Sequence, residues 1–202
     1  MKIVKKNKIY KNIYELNMKI KFDDKSNKIN ENFIFNGKSV SAICYNSDLK
    51  LFYFIRQFRP NYHYNKFIPF PLEVVAGGIK KNETSRQAVI REIKEELGVK
   101  PWSLKKLDSL IIAPDCLEEV TDIFFAKVPK IINFRILNTK EGEDIKIIPL
   151  NKKEVLKFAK SKKTQNIVTR YSLIKILELK IWFYSFLYHR VVINELCREF
   201  FL

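Results

Sequence analysis

The chain has 202 residues, 47% of them hydrophobic, with 38 lysines and arginines against 22 aspartates and glutamates and a formal net charge of +16. That length suits one ordinary domain, or one domain with a small addition, and the apolar share is enough for a sizeable core. The positive charge is mostly lysine spread along the chain, without an arginine-rich stripe or interleaved basic and aromatic residues, which disfavours a nucleic-acid partner and suits a small phosphate-bearing one.

In chain order, the opening "MKIVKKNKIYKN" lacks the apolar run of a secretory signal. Residues 1 to 36 alternate in short runs, "KIVKKNKIY", "IYELNMKIKF" and "NENFIF". They predict a small antiparallel sheet with polar turns at "DDKSNK" and near Gly37, set apart from a main domain over 37–202. "SVSAICYN" and "LKLFYFIRQF" read as two better strands joined at "NSD", and "RPNYHYNKFIPFPLE" as an ordered loop. "SLKKLDSLIIA" and "VTDIFFAKVP" predict strands flanking a loop at "PDCLEE", followed by a strand at "DIKIIPL". Helices are predicted over 151 to 160 and 164 to about 188. The apolar tract there is interrupted by Lys175, Glu178, Lys180, His189 and Arg190, against a membrane span, which needs ~20 residues with few charges. Cys44, Cys116 and Cys197 are too few and too widely spaced for a disulfide framework or a zinc site, and fit a reducing, cytoplasmic setting. Strands mixed with helices give an α/β or α+β domain.

The acids of this basic chain gather at "REIKEELG". Thr84 with Gln87 three residues later forms a capping box, and Gly98, Val99 and Pro101 supply a C-terminal stop, so a helix is predicted from Ser85 to Leu97. Val89, Ile93 and Leu97 make its buried stripe. Glu92, Glu95 and Glu96 are then surface neighbours, with Glu95 pointing away from the stripe and Glu96 on its shoulder. Such a trio is either a solvated helix face or a site for a hard divalent cation, magnesium or manganese.

The pattern is longer than the clump. Gly77, five residues, Glu83, seven residues, then Arg91 to Val99 as "REIKEELGV" match every fixed position of the Nudix hydrolase signature. Outside it, "IRQFRP", "LEVVAGG" and "APDCLEEVTDIFFA" resemble segments of the ADP-ribose and ADP-sugar pyrophosphatases, with Pro114 fifteen residues after Val99. The likeness covers roughly residues 30 to 150.

The resemblance implies an αβα sandwich and Mg2+-dependent hydrolysis, with Mn2+ as a substitute, of ADP-ribose or a related nucleoside diphosphate sugar to a nucleoside monophosphate and a sugar phosphate. It implies metal ligation by Glu92, Glu95, Glu96 and the carbonyl of Ala76. Arg91 paired with Glu83, together with Gly77 and Gly98, holds the loop against the helix. Arg56 and Arg59 contact phosphates or make ordinary salt bridges, and Glu73 contacts base or ribose or is structural. Tyr62, Tyr64 and Phe67 stack a base or pack the loop. The catalytic base comes from the "PDCLEE" loop, Glu119 first and Glu118 second, with Glu95 assisting. Residues 1–36 are expected to form a homodimerisation sheet. Val75 and Asp115 depart from the subgroup's proline and glycine. A UDP-sugar or dinucleoside polyphosphate hydrolase therefore stays open, as does a non-catalytic Nudix sensing or RNA-binding module.

Overall fold

The computed structural model describes residues 2–22, 25–138 and 143–179. They fall into two compact units: residues up to Ala42 with Val75–Ile131, and Ile43–Val74 with residues from Ile132 onward. The architecture is mixed α/β, as the sequence predicts.

The first unit opens with an antiparallel meander, β1 (Lys2–Tyr10), β2 (Ile13–Phe22) and β3 (Lys25–Asn46). Its register sets Tyr14 opposite Phe33, and the two rings stack at 5.8 Å. Lys6 Nζ lies 4.4 Å from the Tyr14 ring centroid, so its charge rests on the ring's negative face. The turn expected near Gly37 is absent. β3 runs through that position for 22 residues, because Gly37 adopts φ +77° inside the strand and bends it without ending it. The strand thus crosses the expected boundary at 36/37. Farther along, β3 pairs with β5 (Val75–Gly78), Ser39 opposite Gly78 through Ala42 opposite Val75.

The strands β6 (Ser103–Ala113) and β7 (Leu117–Lys127) form a hairpin, and β7 also pairs with β3. The loop expected at "PDCLEE" is shorter than the sequence suggests. Only Pro114–Asp115–Cys116 turn, and Glu118 and Glu119 already belong to β7. The alternation Glu119, Thr121, Ile123 against Glu118, Val120, Asp122 explains why a polar segment pairs as a strand: successive side chains take opposite faces. The helix α2 (Ser85–Leu97) packs Ala88, Val89, Ile93 and Leu97 out of solvent, together with the strand residues Val40, Val75, Ile123 and Ala126. Fully burying side chains of this kind is worth about 1.5–3 kcal/mol each for Val, Leu or Ile.

In the second unit the end of β3 pairs with β4 (Leu51–Arg56), Cys44 opposite Tyr53, and the sheet continues to β9 (Glu143–Leu150) and β8 (Arg135–Asn138). The intervening turn is closed by the Asn46 side-chain oxygen, which accepts from Leu49 N at 2.8 Å. β8 has no counterpart among the predicted strands, since "RILN" is too short to show a period. The segment after Arg59 is not all loop. Pro60 opens a short helix α1 (Pro60–Tyr64), its fixed φ suiting a first helical turn. The helix α3 (Lys152–Lys160) starts at a full capping box between Asn151 and Glu154. Residues 167–179 form α4; the predicted continuation to about 188 and Cys197 lie outside the described residues. Tyr53, Phe54, Ile55, Ile145, Ile147, Val155 and Leu173 make this unit's core. No helix among the described residues is long and apolar enough to cross a membrane.

Candidate active site

The helix α2 begins and ends where its sequence dictates. Thr84 Oγ1 accepts from Gln87 N at 3.2 Å, and Gln87 Oε1 accepts from Thr84 N at 2.9 Å. Gly98 closes the helix in the left-handed region, φ 72°, its N–H donating to Lys94 O at 3.0 Å. With both ends fixed, the carboxylates take defined depths. Glu92 and Glu96 are buried, at 8% and 5% exposure, and Glu95 is half-buried. The ordering agrees with the helical wheel, with Glu96 the deepest.

One guanidinium organises these acids. Arg91 Nε and Nη2 donate to the two oxygens of Glu83 at 2.9 and 3.0 Å, a bidentate pair. Its Nη1 donates to Glu92 Oε1 at 2.6 Å and to Glu95 Oε2 at 2.8 Å, and Nη2 also reaches Gly78 O at 2.8 Å. The Glu83 carboxylate further accepts from Lys80 N at 3.0 Å, so the segment from Gly78 to Glu83 is tied to the helix. Glu96 Oε2 accepts from Ala76 N at 3.2 Å, tying β5 to the same helix. Gly77 is needed between them: a Cβ there would overlap the Glu92 carboxylate.

The electrostatics follow from this geometry. The Arg91 hydrogen bonds hold the Glu83 carboxyl down at about 2, and Glu83 in turn raises Arg91 further. Burial pushes the Glu92 carboxyl up, against the pull of Arg91. Among the described residues, no three His, Cys, Asp or Glu side chains already stand together as a metal cage. Arg91 Nη1 holds one oxygen of Glu92 and one of Glu95. The donors nevertheless fit a hard divalent cation. They are carboxylate oxygens, and Glu83, Glu92 and Glu95 share a single guanidinium, with Lys80 Nζ 3.9 Å from Glu95.

In the same unit, Pro114 and Asp115 sit exposed in the β6–β7 turn, and Glu118 is exposed on β7. Glu119 is half-buried and held: its oxygens accept from Asn36 Nδ2 and Ser39 Oγ, both at 2.7 Å. Ser39 Oγ also lies 2.5 Å from Thr121 Oγ1. A serine has one hydroxyl hydrogen, so if it goes to Glu119, Thr121 donates to Ser39. Asn36 and Ser39 escape sequence reasoning because they lie about 80 positions from Glu119, and Thr121 because the loop expected at Glu119 hid that the two share one strand face.

Within the second unit Glu73 is buried and bonds to β4 through Ile55, each backbone N–H donating to the other's carbonyl at 2.8 and 2.9 Å. Its carboxylate pairs with Arg59 Nη2 at 2.9 Å and accepts from Asn166 Nδ2 at 3.2 Å. Arg59 is thus engaged in a salt bridge. Arg56 Nη1 donates to Phe70 O at 2.5 Å. Tyr62 packs edge-on to Phe67 at 5.9 Å; burial, then the Glu73 charge, raises its phenol. Tyr64 is exposed.

A family model of the NUDIX domain matches residues 36–169. The chain belongs to the NUDIX domain family. The matched stretch includes α2 with Gly77, Glu83 and Arg91, whose bonds are those described above. A solved crystal structure described as an ADP compounds hydrolase shares the Nudix fold with a TM-score of 0.70 and 15% sequence identity, over 88% of this chain and 92% of that one. No curated protein matches the chain by sequence.

Proposed function

We propose that this Nudix protein hydrolyses the diphosphate of ADP-ribose or a related nucleoside diphosphate sugar, with Mg2+ or Mn2+, to a nucleoside monophosphate and a sugar phosphate. The observation that carries the reading is the complete box on α2: Glu92, Glu95 and Glu96 at graded depth, with Arg91 locking the loop through Glu83. Non-catalytic sensing modules often lose box glutamates, and this chain keeps all of them. The description of the solved relative as a hydrolase of ADP compounds supports the same reaction class.

In this reading Glu92, Glu95, Glu96 and the Ala76 carbonyl hold the cation. When bound, the cation neutralises the diphosphate and makes water a better nucleophile. The protein's own residues supply position and proton transfer. Arg91 keeps Glu92 and Glu95 oriented, and Glu119, its oxygens fixed by Asn36 and Ser39, accepts the proton of the attacking water. Glu118 and Glu95 are secondary carboxylates for the same task. Arg56 takes a phosphate. Arg59 joins it by turning from Glu73, or stays with Glu73 and shapes the site. Residues 1–36 are the dimerisation sheet of a cytoplasmic homodimer.

Val75, standing where the ADP-ribose subgroup has proline, favours a second reading, a UDP-sugar pyrophosphatase. A panel of nucleotide sugars assayed with Mg2+, with products identified, separates the two. ADP-ribose turned over faster than UDP-glucose is the expected result, the reverse moves the protein to the second reading, and no hydrolysis of any member refutes both.

A further inference from the structure

The second unit carries a cavity of about 570 Å³ lined by three cations, Arg56, Lys146 and Arg135, and by two aromatic rings, Phe70 and Phe134. The volume is that of a small-ligand site, roughly 300–1,000 Å³. The three cations are in one row. Arg56 is the register partner of Lys146 on β9, and Lys146 is the partner of Arg135 on β8. Strands lie about 4.8 Å apart, so the row places three positive side chains across roughly 10 Å on one face. The neighbours of Lys146 along β9, Ile145 and Ile147, are buried on the opposite face, which fixes the row outward.

Like charges directly opposite one another destabilise a sheet. Only part of the cost is relieved here. Asp144 takes Arg135 alone, Nε to Oδ1 at 2.9 Å and Nη2 to Oδ2 at 2.7 Å. Arg56 spends one donor on Phe70 O, and neither Arg56 nor Lys146 forms an ion pair with a described residue. The rings beside the row are left open, Phe70 at 50% and Phe134 at 44% exposure. Cations with no acid partner among the described residues, next to open aromatic faces, complement a ligand that is anionic at one end and planar at the other.

We infer that this cavity binds the nucleoside phosphate part of an anionic ligand, its phosphate on Arg56 and Lys146 and its base against Phe134 or Phe70. Arg135, clamped by Asp144, stiffens the far end of the row. The cavity is seen independently, but its naming as a nucleoside phosphate site rests on the proposed hydrolysis.

The test is AMP binding by calorimetry with EDTA present, so that neither turnover nor a bound cation enters. AMP binds the wild type, and inorganic phosphate binds at least about tenfold more weakly, since stacking is worth ~1–3 kcal/mol per base. Lys146→Gln weakens AMP about tenfold, as expected for one charge-assisted phosphate bond. Phe134→Ala weakens AMP while leaving phosphate unchanged. No AMP binding, AMP affinity unaltered in a folded Lys146→Gln, or phosphate bound as tightly as AMP would each overturn the inference. A protein that binds AMP in this way but hydrolyses no nucleotide sugar keeps the cavity and loses the proposed reaction. Hydrolysis with AMP binding indifferent to Lys146 keeps the reaction and removes the cavity as its nucleotide site.

Discussion

Replacing Arg91 by lysine preserves the charge and removes the fork. The guanidinium makes five hydrogen bonds: two to Glu83 and one each to Glu92, Glu95 and Gly78 O. An ammonium has three donors on one atom and cannot span Glu83 bidentately. At least two bonds to charged partners are lost, each worth ~1.5–3 kcal/mol when well buried. The side chains are partly open, 20% for Arg91, 14% for Glu83 and 37% for Glu95, so the higher figures do not apply. A loss of about 2 kcal/mol follows for Arg91→Lys, or about 4–8 °C in Tm for a chain of this size. Urea denaturation in EDTA measures it without interference from metal binding.

The pH dependence gives a second view of the same network. The Glu83 carboxyl is lowered in the folded state from 4.5 to about 2. Its stabilisation is therefore fully present above the unfolded value and is lost as pH falls through the folded one. The gap between wild type and Arg91→Lys should be constant near neutrality and shrink between pH 4.5 and 2. An Arg91→Lys protein with an unchanged urea midpoint at pH 7 would show that the guanidinium does not hold the loop to the helix, and would refute Arg91 as the clasp of the box.

Three further outcomes are expected. Glu96→Gln keeps the shape at the deepest carboxylate and should lose several powers of ten in turnover at saturating Mg2+ with the fold intact by circular dichroism; wild-type turnover would remove Glu96 from the metal set. Glu119→Gln should lower kcat at least ~100-fold with little change in KM, since a general base acts in the transition state, and Glu118→Gln should be milder. Equal kcat for Glu119→Gln and wild type would remove the base. Light scattering at micromolar concentration should report a dimer, and a monomer would count against residues 1–36 as a dimerisation sheet.

What was legible in the chain was whatever depends on neighbours a few residues apart. The span of α2, its capping box, its glycine stop and the depth order of Glu92, Glu95 and Glu96 follow from spacing alone, and the structure reproduces them. So does the start of α3. The misreadings share a cause, treating polar or glycine residues as punctuation. Gly37 sits within β3 because glycine takes φ +77° without a side-chain clash, and Glu118 and Glu119 already belong to β7. The holders of Glu119 and the Asn166 contact to Glu73 depend on residues 80 or more positions away, which no local pattern encodes.

The continuous β3 changes how this protein can be cut. The first 36 residues look like an appendage that could be trimmed away, yet residue 37 is in the middle of a strand. A shortened chain beginning there would lose Asn36 and its grip on Glu119, and with it Ile34, whose N–H reaches Cys116 O at 2.8 Å. It would also free a stretch of β7 that now faces β3, and unpaired strand edges recruit other chains. Trimming is thus expected to yield aggregates instead of a smaller working enzyme.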